Sequence, residues 1–322
     1  MASISTTQIS IEGKRVTVPA LTIAGNTIVV GSGWIKVASV QGGDYTETEL
    51  KDPATCVKEL KQQRRSVSQA DIFSFSQMIP DTAPKYDYAC ELDSVAVIRV
   101  DSFADWWNNR VSSYLRKDVR KAEKLGVVVR PVAFDDHLVK GIMEIYDETP
   151  IRQGRQFWHY KKGFEAVKRE NSTYLDRAEF LGAFYGEELI GFLKIVYVNR
   201  IARLMQILSK DAHRDKRPMN ALIAAAVRVC DAKACSYLTY GKYRYPQGAD
   251  SVTAFKHRNG FEEMLMPKYY IPLTLKGRLA LQLRLHHGAR SLAPDAALRA
   301  LKQLRAFVYD RLELKRKSAQ GS

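Results

Sequence analysis

Cysteine is scarce and unpatterned. Four occur in 322 residues, Cys56, Cys90, Cys230 and Cys235, with no C-x-x-C pair and no histidine at zinc-finger spacing. Reduced thiols in a reducing compartment fit this pattern better than a disulfide scaffold, and no metal is expected. Long apolar runs are missing too. The most apolar stretches, such as 221–229, fall well short of the roughly 20 residues that span a bilayer. The opening MASISTTQIS lacks a basic start followed by an apolar run, so no secretory signal is read there. These absences predict a soluble, cytoplasmic protein. Acidic residues are the minority charge, 35 against 50 Lys+Arg, for a net charge of +15.

A basic excess favours anionic partners: nucleotide cofactors, nucleic acid or a membrane surface. It is unevenly spread. From Lys276 onward eleven basic residues face only Asp295, Asp310 and Glu313, so more than half of the net charge sits in a C-terminal tail. Residues 296–314 carry Leu298, Leu301, Leu304, Val308 and Leu312 at helical spacing. The opposite basic face suits packing on the preceding domain, or peripheral contact with anionic lipid or RNA.

The rest of the chain is long enough for two domains. Residues 4–11, 15–18, 26–30 and 34–40 read as short strands, 53–63 as a helix, and 71–75 and 95–100 as buried strands. A helix over 112–125 has its apolar stripe at Leu115, Val119 and Ala122, a basic opposite side, and Gly126 as its stop. From there the elements are strand 127–132, helix 135–149, a polar loop 151–157 and a helix near 160–170. Strands 179–185, 189–198 and 201–208 follow, then a basic loop and a helix over 219–233. Strand 237–240, a helix near 251–258 and strands around 261–266 and 269–273 complete the series.

The order β-α-α-β-β-β-α-β-α-β-β resembles the GNAT acyltransferase fold, a mixed α/β sheet with flanking helices. Three features are similar to FemAB-like proteins, which carry two such domains in tandem: the helix RKDVRKAEKLGV, the strand LTYG, and the segment AFKHRNGF over 254–261. The resemblance implies a degenerate N-terminal domain over 1–111 and a connecting basic helix over 112–126. A complete GNAT-like domain would span 127–275, with a basic helical tail over 276–322. It also implies transfer of an acyl or aminoacyl group to an amine, such as an amino sugar or a surface-glycan or cell-wall precursor.

In that family the strand before the central helix feeds a loop that holds the pyrophosphate of acyl-CoA. Here the matching stretch is MQILSKDAHRDKRPMNALIAAA. A helix N-terminus with unpaired N–H groups is an anion site in its own right, and Pro218 suits its first position. The implied donor-binding set is Leu208, Arg214, Lys216, Arg217, Met219 and Asn220, with Lys256 on the later helix. Arg217 and Met219 stand where the family's loop has small residues that let phosphate approach the backbone.

Amide formation needs a base for the incoming ammonium, donors for the oxyanion and an acid for the leaving group. Tyr240, then Tyr243, are the candidate acids, with packing aromatics as the alternative. Glu148, ending its helix, and His159 are candidate bases, against solvated or structural roles. Between the first two helices, Arg152, Gln153, Arg155, Trp158 and Tyr160 would line an acceptor pocket, the paired arginines clamping a carboxylate or phosphate. Three functions are compatible with these residues: an acyl-CoA (acetyl-CoA) N-acyltransferase, an aminoacyl-tRNA-dependent transferase, and a non-catalytic binding protein.

Overall fold

A computed structural model of the chain describes residues 3–11, 14–43, 45–47, 49–63, 68–152, 155–245 and 250–287. In chain order the elements begin β1 (Ser3–Ile11), β2 (Lys14–Ile23), β3 (Asn26–Val30), β4 (Val37–Val40), α1 (Pro53–Gln62), β5 (Ile72–Ser76) and β6 (Cys90–Arg99). Then come α2 (Phe103–Asp105), α3 (Ser113–Lys124), β7 (Val127–Val132), α4 (Asp136–Asp147), the small hairpin β8 (Ile151–Arg152) and β9 (Arg155–Gln156), and α5 (Phe164–Asn171). The last are β10 (Ala178–Tyr185), β11 (Glu188–Val198), β12 (Ile201–Ser209), α6 (Pro218–Ala232), β13 (Tyr237–Lys242), α7 (Asp250–Arg258), β14 (Glu262–Pro272) and α8 (Leu275–Gln282).

The chain forms two compact units. Among the described residues, one is built from 3–94 and 264–287, the other from 95–263. These divisions differ from the expected 111 and 275, for reasons of packing. Leu115, Val119 and Ala122 of α3 are buried with Ala221, Leu222, Ala226 and Val227 of α6, so the "connecting" helix is core of the second unit. The two closing strands expected at 261–266 and 269–273 are one strand, β14. Pro267 lies within it; proline removes only a donor, and its carbonyl still accepts the Gln77 N–H at 3.0 Å. Most of β14 belongs to the first unit. The tail helix expected at 296–314 lies outside the described residues, as does Gln153.

In the first unit the strands run β1-β2-β3-β4-β5-β14, antiparallel except for β4 with β5. Asp52 caps α1 by accepting the Thr55 N–H at 2.9 Å, and Pro53 opens the helix. Cys56, Val57 and Leu60 of α1 then bury against Phe73, Phe75, Tyr269 and Ile271. Ala280 of α8 packs with Ile72 and Tyr270 in a separate cluster.

In the second unit the order is β6-β13-β12-β11-β10-β7, antiparallel except for β12 with β13. Helices α3 and α6 share one core with Leu193, Ile195 and Ile207, while α4 and α5 share another with Phe180 and Phe192. β11 supplies residues to both, which is why its sequence is an almost unbroken apolar run. Gly126, at φ 85°, ends α3 in the left-handed conformation that glycine adopts freely. No helix among the described residues is long and apolar enough to cross a membrane.

Candidate functional site

The second unit contains a parting of strands. β12 and β13 pair only at Ile201 with Tyr237, Ala202 with Leu238 and Arg203 with Thr239. β12 continues to Ser209 and β13 to Lys242 without further rungs between them. Over residues 204–209 the β13-facing edge of β12 therefore has no strand partner among the described residues, which leaves backbone N–H and C=O groups for something else. Tyr240 is the first residue of β13 past the last rung.

β12 runs into a short 3-10 helix, Asp211–Lys216, and then into α6. Arg217 joins the two at φ 57° and ψ 38°, the left-handed region. This is one of the two positions where a small residue was expected, and the backbone has a glycine-like shape without the glycine. Such a conformation costs a non-glycine residue on the order of 1–2 kcal/mol. The Arg217 Nε lies 3.2 Å from the Asp118 carboxylate on α3, a contact that ties the two helices beside the loop.

The cations of this loop are differently engaged. Arg214 is exposed and has no acidic partner among the described residues. Lys216 reaches Asp215 at 3.4 Å and lies over the Tyr185 ring. Lys210 bonds Glu144 and Glu188, and this bond to Lys210 holds the Glu188 carboxyl below its ordinary range. The first N–H groups of α6 are partly spent: those of Asn220 and Ala221 both reach the Arg217 carbonyl, at 3.2 and 3.3 Å. The Asn220 amide donates to Asn259 at 3.0 Å, while Met219 and Leu208 are half-buried apolar neighbours of the two cores.

Several expected site residues have other work. Glu148 is not a free carboxylate at a helix end. It accepts the backbone N–H groups of Asp211 and Ala212, the latter at 2.8 Å, and so caps the start of the cationic loop. Arg152 donates to the carbonyls of Ser209 and Ile145, both at 3.1 Å, and lies 3.5 Å from Glu148. Its guanidinium is a brace across the end of β12 and offers little to an acceptor. Lys256 is fully buried; its ammonium donates to the carbonyls of Tyr240 (2.6 Å) and Lys242. Burial pulls that amine down to about 8. It clamps the end of β13 and is turned away from a donor-phosphate role.

Tyr240 lies in the opposite situation. Burial, with Tyr245 beside it, pushes its phenol up to about 12, so at neutral pH it keeps its proton. The Lys256 ammonium sits 4.2 Å from its ring centre. Tyr243 is half-buried, its hydroxyl 3.4 Å from His257 Nδ1.

His159 is 7 % exposed, with its ring against Trp158 (3.7 Å between centroids) and Tyr146 (4.2 Å). Desolvation first, then Lys162 and Arg152, pull its pKa down to about 3. Glu170 offers no relief: it is 3.7 Å from Nδ1 and is held by Lys162 at 2.7 Å. A ring that binds protons so weakly is a poor general base. Trp158 itself is exposed, with the Lys162 ammonium 3.6 Å over its ring. Tyr160 is half-buried beneath Lys161, and Arg155 is described only by its backbone in β9.

A titration follows from His159. The folded pKa is depressed, so its stabilising contribution is present above the unfolded value near 6.5 and is lost as pH falls from there toward 3. The expected slope is up to about 1.4 kcal/mol per pH unit over that window. Urea midpoints measured at several pH values should fall for the wild type and flatten in His159→Gln.

The sequence reading did not single out Tyr146, Gln206, Lys194, Asn171 or Asp118. Gln206 donates to the Tyr146 hydroxyl at 2.6 Å, and its Nε2 lies 3.5 Å from His159 Nε2. Lys194 is buried, donates to the carbonyls of Asn171 (2.7 Å) and Thr173 (2.6 Å), and is drawn down by burial to about 8. A lysine within the apolar run of β11 was the one signal in the sequence that could have marked this cluster.

No family model matches the sequence, and no curated protein matches it. Similar structures do exist. The C-terminal domain of a putative lysylphosphatidylglycerol synthetase from Agrobacterium fabrum has a TM-score of 0.55 at 12% identity, covering 86% of this chain and 87% of its own. FemX gives 0.54 at 11% identity, with 88% and 90% covered. L-PGS from Bacillus licheniformis gives 0.54 at 15% identity, with 81% and 86% covered. Matches this long extend over both compact units. The chain has a mixed α/β, GNAT-like fold, shared along most of its length with FemX, with L-PGS and with the C-terminal domain of the putative lysylphosphatidylglycerol synthetase.

Proposed function

We propose that the chain is an N-acyltransferase that takes its acyl group from an acyl-CoA and passes it to an amine, such as an amino sugar or a surface-glycan precursor. The observation that carries this reading is the unpaired edge of β12 over 204–209, next to the cationic loop and the start of α6. An extended arm bearing amides can pair with such an edge as an added strand would. The phosphates at the other end of the donor would then meet Arg214 and Lys216. Backbone cradling is limited here, because Arg217 replaces glycine and its carbonyl already takes two N–H groups, so the charge must come from side chains.

In the transfer the amine nitrogen attacks the thioester carbonyl, the new C–N bond forms, and the C–S bond breaks. Tyr240, protonated and at the mouth of the parted strands, gives its proton to the leaving thiolate. The amine's own proton passes to solvent, since neither Glu148 nor His159 is placed to take it.

A second reading keeps the fold and takes the donor to be aminoacyl-tRNA. It is favoured by α3, whose exposed Lys117, Arg120, Lys121 and Lys124 lie on the helix that Asp118 ties to the donor loop. The two readings separate in one experiment. With acetyl-CoA or CoA, the full chain should show a rise in Tm that Arg214→Ala diminishes. If no acyl-CoA shifts Tm while tRNA binds with a steep salt dependence, the first reading fails and the second stands.

A further inference from the structure

The first unit holds a cluster that neither proposed donor chemistry uses. Glu91 lies at the start of β6, and His286 and His287 lie in the short 3-10 helix Leu285–His287 that follows α8. His286 Nε2 is 3.0 Å from one Glu91 carboxylate oxygen, and His287 Nε2 is 2.8 Å from the other. The rings are 4.0 Å apart between centroids, and Tyr270 packs edge-on against both. One nitrogen from each ring and a carboxylate oxygen all lie within 4.8 Å of one another.

Two adjacent histidines aiming the same ring nitrogen at one carboxylate is a converging donor set. As hydrogen bonds, both contacts need Nε2 to carry its proton, and both protons can be exchanged for one divalent ion. Bonds of about 2.0–2.1 Å to imidazole and carboxylate in a tetrahedral site put ligand atoms ~3.3 Å apart. The two nitrogens contact opposite oxygens of Glu91, and one donor atom from each of the three residues lies within 4.8 Å of the others, so gathering them round one ion needs side-chain shifts of roughly an ångström. The His286 side chain is 2 % exposed and fixed by its neighbours, whereas His287 and Glu91 are 39% and 41% exposed. Solvent therefore reaches one side, where a water can complete the coordination.

We propose that Glu91, His286 and His287 form a binding site for a divalent transition metal of the zinc class, with three protein ligands and one water. Nitrogen-rich ligation of this kind selects Zn2+ over the oxygen-seeking Mg2+ and Ca2+. The ion joins segments 195 residues apart, so it closes a long loop and fastens the segment after α8 to β6. Zinc-finger spacing of cysteine and histidine is no guide to this set, which is one glutamate and a distant histidine pair.

The test uses the full chain, stripped of metal and dialysed against Zn2+, with elemental analysis, calorimetric titration and thermal melting. One equivalent of zinc per chain and a higher Tm are expected, with no shift from Mg2+ or Ca2+. Because His286 is buried and its variants can misfold, the deciding variants are His287→Ala and Glu91→Gln, both at exposed side chains. Each should weaken zinc binding by at least about tenfold, ~1.4 kcal/mol, while keeping the metal-free Tm near that of the wild type. Wild-type protein that takes up no zinc, or His287→Ala protein that binds it as tightly as wild type, overturns the proposal.

Discussion

Tyr240→Phe is expected to lower kcat for acyl transfer about a hundredfold, the scale of a lost general acid, while the donor's Tm shift stays as in the wild type. The ring remains to pack against Phe261, whose centroid is 5.8 Å away, so folding should be little changed. What disappears is a proton donor that burial keeps protonated at neutral pH. The phenol's elevated value also means that its loss of a proton should not shape the kcat profile near neutral pH and belongs to an alkaline limb toward about 12. A kcat unchanged by the substitution, with donor binding intact, would remove Tyr240 from the chemistry and leave it as packing. The comparison with Tyr243→Phe is informative. Tyr243 is half-buried against His257, away from the last rung between β12 and β13, and should matter far less.

The second large effect concerns stability. Gly277 lies in the first turn of α8, where an added Cβ would come within 1.9 Å of the Asp71 carbonyl oxygen and 2.7 Å of its carbon. Both are backbone atoms of the segment leading into β5, so no side-chain rotation relieves the overlap. Gly277→Ala should therefore cost on the order of 3 kcal/mol or more, by lifting α8 off its seat. The same movement strains the contacts that hold Asp71: Thr274 Oγ1 at 2.9 Å, the Lys36 N–H at 3.0 Å and the Lys276 ammonium at 3.2 Å. Chemical unfolding should show a lower midpoint. A variant as stable as wild type would mean that α8 is not seated on that carbonyl.

Local signals served the sequence reading well where one element decides the outcome. The stripe of α3, the stop at Gly126 and Pro218 at the start of α6 each act within a few residues. The element order they spell out matches the observed one from β7 to α7 apart from the small β8–β9 hairpin, while the two expected closing strands are the single β14. The parting of β12 and β13 had no such signal, because it depends on where two strands separated by a whole helix stop matching. Glu148 was legible as an acid at a helix end, but not its bonds to the N–H groups of Asp211 and Ala212, some sixty residues on. His159 was visible among aromatics, yet its depressed basicity comes first from the burial that folding imposes and then from Lys162 and Arg152 converging on it. The left-handed shape of Arg217 was obscured by its own side chain, since glycine is the residue that normally announces such a position.

The first unit is assembled from both ends of the described chain, with β14 completing a sheet begun by β1. During synthesis the residues of the second unit leave the ribosome as one uninterrupted stretch and can condense at once. The earlier strands must wait, with the edge of β5 away from β4 lacking its partner until residue 272 has emerged. Over that interval an apolar strand edge is open to wrong pairings, a hazard that the strands of the second unit, made as one stretch, do not share.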